Sequence, residues 1–176
     1  GSYTDITTKQ LKKLLGLVFF EDIELNVENF YKIYISKDKE LKSFNFKKLI
    51  LERIRTSIKN CFIPILFTSR KEKVLANIYE QMDFNNSLSS FIAEIVSDIK
   101  YEIGYLISKG GITSNTILNS SFNIDYVYLE GQICSGISVV KAKLIDNNHD
   151  LPVITFPGNL GSDDSLKEVW QGIENR

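Results

Sequence analysis

The chain has 176 residues, 43% of them hydrophobic and 24% charged, and its 21 basic and 22 acidic side chains leave a net charge of −1. That length and balance fit one soluble domain with a core of its own. They argue against a nucleic-acid partner, which calls for a basic excess, and against a membrane partner, because no apolar run approaches about 18 residues.

The elements follow in chain order. Thr4–Leu15 predicts a helix, with Thr7 as a cap and Leu11, Leu14 and Leu15 at helical spacing. Leu17–Leu25 (LVFFEDIEL) is apolar and aromatic and predicts a strand. Asn26-Val27-Glu28-Asn29 opens a short helix. Phe44–Lys59 is a longer one, with Phe46, Leu49, Ile50 and Ile54 on one face. Cys61–Thr68 (CFIPILFT) suits a buried strand, although Pro64 cannot donate to a ladder. Helices are predicted over Ser69–Gln81 and Leu88–Glu102. Gly104–Ser108 is a strand, and Lys109-Gly110-Gly111-Ile112-Thr113-Ser114-Asn115 leads into a helix at Thr116–Asn119. Ile124–Gln132, Gly136–Leu144 and Leu151–Phe156 are strands. The loop Pro157–Gly161 and the cap Ser162-Asp163-Asp164 then precede a helix over Ser165–Ile173. Strands alternating with helices predict an α/β layered domain, with a mainly parallel sheet flanked by helices.

Two strand–glycine–helix units stand out, at Gly110-Gly111 and at Gly158-x-x-Gly161. Glycine permits a tight turn and close approach of a ligand to the backbone. A helix N-terminus adds unpaired N–H groups and partial positive charge, and Thr113 and Ser114 add hydroxyls. At the carboxyl ends of parallel strands such turns favour an anion. Neither matches a Walker A loop or G-x-G-x-x-G. Asp163 and Asp164 read as helix-terminus stabilisers rather than magnesium ligands. Cys61 and Cys134 read as buried and inert, as in a reducing cytoplasm. With His149 as the only histidine, no zinc site is expected. A Cys134 nucleophile is the weakest alternative, since His149 sits in the polar run Asp146–Asp150. The basic residues between Lys37 and Lys73 read as a solvated helix surface. The chain opens on Gly1-Ser2 without Met, which reads as a cut N-terminus.

Three patches together resemble the C-terminal, nucleotide-binding domain of the four-carbon acid sugar kinases. Gly1-Ser2-Tyr3-Thr4-Asp5-Ile6-Thr7-Thr8-Lys9-Gln10 fits that family's Gly-Ser, Thr and Gln pattern. Ser108-Lys109-Gly110-Gly111-Ile112-Thr113-Ser114 resembles its Gly-Gly-Asp-Thr-Ala turn. Leu151–Gly161 resembles its strand ending in Thr-Lys-x-Gly-Gly-Phe-Gly. Phe67-Thr68-Ser69-Arg70 and Ser135-Gly136-Ile137 are weaker echoes. The resemblance implies ATP, with Mg2+, bound by one domain spanning residues 1–176. It implies a tetronate-like acid held by an N-terminal domain that is not in this sequence. Ser2, Gly110, Gly111, Ile112, Thr113 and Gly158 would touch nucleotide, and Gly161 would support the second turn. The family's aspartate is Ile112 here, and its lysine is Phe156; Lys109 and Lys141 are the candidates to replace that charge in space. The isolated domain is therefore expected to be inactive, and the alternative is a degenerate, non-catalytic nucleotide-binding or protein-interaction domain. Homo-oligomerisation is compatible with either.

Overall fold

Thr4, not Thr7, caps the first helix, α1 (Asp5–Leu15): its extended backbone leaves the hydroxyl free to accept the Thr7 N–H. Thr7 already lies in the first turn, where its own hydroxyl is committed elsewhere. The computed structural model describes residues 3–122, 127–144 and 149–174. Strand β1 (Phe20–Leu25) starts later than predicted, because Leu17 and Phe20 close turns back onto Leu14 and Leu17. Asn26 caps α2 (Val27–Tyr34), and its side chain accepts the Asn29 N–H at 2.9 Å. Helix α3 (Lys39–Lys59) leads to β2 (Ile63–Thr68).

The two helices predicted over 69–81 and 88–102 are one, α4 (Ile78–Ile99). Its start is fixed by Asn77, whose side chain accepts the Tyr79 N–H at 2.8 Å. The polar run Asn85-Asn86-Ser87 suggests a break. The helix continues because Phe84, Leu88, Phe91 and Ile95 keep one buried face across it. Strand β3 (Leu106–Lys109) is followed by α5 (Gly111–Thr116), which widens into a π-helical turn at Ile117–Ser121. Then come β4 (Tyr128–Cys134), β5 (Ile137–Leu144), β6 (His149–Phe156) and α6 (Ser165–Glu174). Residues 124–126 of the strand predicted to begin at Ile124 lie outside the described residues.

The α/β class is as the sequence indicates, with helices flanking two sheets. One sheet is the parallel pair β1–β2, and the other runs β3-β6-β5-β4. Parallel pairing joins β1 to β2 and β3 to β6, while β4, β5 and β6 form an antiparallel meander. The meander follows from two short connections, which return the chain antiparallel without a crossover helix.

Strand β6 shows why the sheet is covered twice. Leu151 and Val153 join the core under α2, α3 and α4, whereas Ile154 and Phe156 join a second core with Leu14, Leu166 and Val169 of α1 and α6. Alternate side chains point to opposite faces, so a strand apolar at both parities needs helices on both sides. The basic stretch is neutralised locally. Lys47 pairs with Glu94 and Asp98, Arg53 with Glu21, Arg55 with Glu102 and Lys73 with Glu28. No helix among the described residues is long and apolar enough to cross a membrane.

Candidate functional site

The two glycine turns meet at one edge because β3 and β6 are parallel neighbours in register, Ser108 opposite Thr155 and Lys109 opposite Phe156. The Gly110 N–H donates to the Phe156 carbonyl at 2.9 Å. Gly110 has φ 112°, a conformation that favours glycine, and directly precedes α5. At Gly111 a Cβ would meet nothing within 4 Å, so its backbone faces open space. Ile112 is 71% exposed, and Thr113 and Ser114 are buried. Ser114 is not a free donor: its hydroxyl is bonded to the Ser108 carbonyl at 3.1 Å and the Ser108 hydroxyl at 2.9 Å. Thr113 faces the apolar cavity that opens beside β3.

The second turn is held by α1, from the opposite end of the chain. The hydroxyls of Thr4 and Thr7 both lie 2.7 Å from the Gly158 carbonyl. The buried Gln10 amide donates to the carbonyls of Leu160 at 3.0 Å and Ser162 at 2.7 Å. Gly161 has φ 86°, and a Cβ there would lie 2.6 Å from the Ser165 side chain. Ser165 cannot retreat freely, since its hydroxyl accepts the Ser162 N–H at 2.8 Å. Thus the Thr and Gln of the first sequence patch are the brackets of the third. Removing the amide, as in Gln10→Ala, leaves two turn carbonyls unpartnered and should lower stability by about 1–3 kcal/mol in urea unfolding.

Two cations stand beside these turns. Lys109 sends its ammonium to the Pro157 carbonyl at 2.9 Å, 3.6 Å from the centroid of the Phe156 ring. Burial pulls its pKa down from the ordinary lysine value to about 8. Arg70, just after β2, donates to the Thr8 hydroxyl at 2.8 and 3.1 Å and lies over the Tyr3 ring. Partial burial lowers the Arg70 pKa and raises that of Tyr3. Thr7, Thr68, Arg70, Lys109 and Thr113 all line the cavity. Of the two lysines that could replace the family's charge, the β3–β6 register puts Lys109 opposite Phe156. Lys141 makes no such contribution, being paired with Glu130 at 3.1 Å.

Other sequence expectations end differently. Cys61 and Cys134 are exposed, not buried. Cys61 follows the C-terminal turn of α3 at φ 60°, and Cys134 ends the edge strand β4. The Cys134–His149 pairing fails on register. Cys134 is opposite Ile137 and His149 opposite Leu144, the two ends of β5; seven residues of strand separate them by about 23 Å. Asp164 lies 3.6 Å from Lys13, in keeping with a helix-terminus role. Ser2 lies outside the described residues. Among the described residues no group of three or more His, Cys, Asp or Glu could hold a metal.

The structure is thus an α/β domain with two neighbouring glycine turns at one sheet edge, bracketed by its own N-terminal helix and flanked by two half-buried cations. The family described as nucleotide-binding C-terminal domain matches residues 1–166, and the chain belongs to it. This is the domain family that the three sequence patches resemble. Among solved structures the chain is similar to a domain of unknown function from Bordetella bronchiseptica, with bound citrate, a domain-swapped dimer. The identity is 14% and the TM-score 0.71, over 99% of this chain and 40% of that one. It is also similar to a putative tRNA synthase from Salmonella typhimurium, at 16% identity and TM-score 0.71, over 97% of this chain and 39% of that one. Both likenesses concern the fold, and the chain spans about two-fifths of these neighbours' length. No curated protein matches it.

Proposed function

We propose that this domain holds the phosphates of ATP for a kinase that phosphorylates a small four-carbon, tetronate-like acid. The observation that carries the reading is the Lys109 ammonium at the junction of the two turns. The family's lysine position is Phe156 here, and Lys109 is its register partner on the neighbouring strand. The counter-charge therefore arrives from β3 instead of β6, with the ammonium itself over the Phe156 ring. Gly111 and Ile112 supply backbone N–H donors on one side, Gly110 makes the turn that presents them, and Gly158 lines the other. Thr113 contributes a hydroxyl at the cavity end, and Gly161 shapes the second turn.

The donor set fits a polyphosphate: exposed backbone at Gly111, a half-buried ammonium and a nearby guanidinium. It does not fit a metal ion equally well, because the carboxylate position of the first turn is Ile112. Phosphoryl transfer relies on positioning and charge neutralisation, and residues 1–176 supply the nucleotide half. The sugar acid belongs to an N-terminal domain of the intact chain. The exposed Ile112 favours a second reading, in which the nucleotide is bound without turnover.

Calorimetric titration with Mg-ATP, ADP and GTP tests the site. Gly158 is not among the left-handed glycines, so Gly158→Asp adds a carboxylate at the second turn without backbone strain. Binding to the parent and at least tenfold weaker binding to this variant is the expected result. No binding at millimolar nucleotide overturns the proposal, and unchanged binding by Gly158→Asp moves the site elsewhere. Turnover of ATP by the intact chain with a panel of tetronates separates the kinase from the degenerate reading.

A further inference from the structure

Strands β2 and β3 are the facing edges of the two sheets, and neither has a strand partner on its inner side among the described residues. They line a cavity of about 400 Å³ between them. The two strands run the same way, because the residues after both carboxyl ends converge on the first turns of α1. Arg70, after β2, reaches Thr8, and Gly158, after β6, is bonded by Thr4 and Thr7; β6 is parallel to β3.

Backbone polarity on the two edges is complementary to one more strand. The N–H groups of Ile63 and Ser69 point to β1, at Phe19 and Leu25. By alternation Leu66 and Thr68 present their N–H and C=O groups to the cavity, and so does Pro64 its lone C=O. The Gly110 N–H points to β6, so Ile107 and Lys109 present theirs to the cavity from the other side. Leu11 and Leu14 of α1 roof the space, and Ile54 and Ile95 of α3 and α4 floor it. A helix-covered, apolar slot between two parallel edges has the chemistry of an absent central strand.

We infer that the slot is filled by a parallel β-strand from the same polypeptide, from the segment that precedes Gly1 in the full-length protein, which joins the two sheets into one. α1 starts at the carboxyl ends of β2 and β3, where a strand rising through the slot would deliver the chain. Tyr3 already lies there, near Thr68 and under Arg70. The longer solved neighbours, of which this chain spans 40%, have the polypeptide to provide such a segment, and one is a domain-swapped dimer. The inserted residues are apolar at both parities, since both faces of the slot are covered. The N–H and C=O rows of Leu66, Thr68, Ile107 and Lys109 then become ladder bonds.

The test compares amide exchange in residues 1–176 with exchange in the full-length protein, both without nucleotide. The expected result is at least 100-fold slower exchange of the Leu66 and Ile107 amides in the full-length monomer. Equal exchange in the two overturns the inference, as does slowing that appears only on dimerisation, or slowing of residues 1–176 alone by ATP. A second measurement needs only this chain, with six alternating Val and Ile residues fused ahead of Gly1. That extension should raise Tm, and the same extension carrying two prolines should not. Equal Tm for the two fusions overturns the inference.

Discussion

Lys109→Met is expected to weaken nucleotide binding about 10- to 100-fold while leaving the fold intact. The magnitude is that of a charge-assisted hydrogen bond to phosphate, about 1.5–3 kcal/mol. Methionine places a thioether in place of the ammonium over the Phe156 ring and removes a cation whose burial is unfavourable, as its lowered pKa of about 8 records. Loss of affinity by unfolding is separable by urea unfolding, because the lost bond to the Pro157 carbonyl and the relieved burial of charge oppose each other and the net change should stay within about 1 kcal/mol. The pH dependence has a definite sign. A phosphate stabilises the ammonium, so binding takes up a proton where the free amine has lost one. Affinity in the parent should fall as pH rises from 8 to 9, and the Lys109→Met variant should lose that slope. Calorimetry in buffers of different ionisation enthalpy would show the proton uptake directly. A parent affinity flat between pH 7 and 9 removes Lys109 from the site.

Gly161→Ala should be among the most destabilising single changes at the turns, by about 2–4 kcal/mol in urea unfolding. Two costs combine: a left-handed backbone for a residue with a Cβ, about 1–3 kcal/mol, and overpacking of similar size. The clash is 2.6 Å to Ser165, with the Gln10 amide at 3.4 Å on the other side. Relief by moving Ser165 would release the Ser162 N–H it holds. Gly111→Ala supplies the contrast. Its Cβ would enter open space, and its φ is not left-handed, so stability should change by less than about 1 kcal/mol. If Gly111 approaches phosphate, that same methyl lowers affinity. The pair distinguishes a glycine required by the turn from one required by the ligand. Equal stability of the two variants would mean that the second turn relaxes.

Much of the fold was legible because period-2 and period-3.6 patterns are local properties. The strands ending at Leu25, Thr68, Leu144 and Phe156 and the helix after Asp164 were read at nearly their observed ends. The readings that failed concern places where tertiary contacts override composition. Helices read over 69–81 and 88–102 are one, because packing on either side of Asn85-Asn86-Ser87 carries α4 through it. Cys61 and Cys134 read as buried from their apolar neighbours, yet one follows a helix end and the other lies on an edge strand.

The sequence by itself determined three things about this chain: an α/β alternation, glycine at Gly110 and Gly161 where the backbone is left-handed, and the three ordered patches that mark its family. Register and packing decided the rest. Only the parallel pairing of β3 with β6 places Lys109 where Phe156 lacks a charge. Only the return of α1 to the carboxyl edge makes Thr4, Thr7 and Gln10 the supports of a turn about 150 residues away. Only the separation of β2 from β3 reveals the cavity between them. These are long-range relations, fixed by which surfaces are buried together, and no local pattern encodes them.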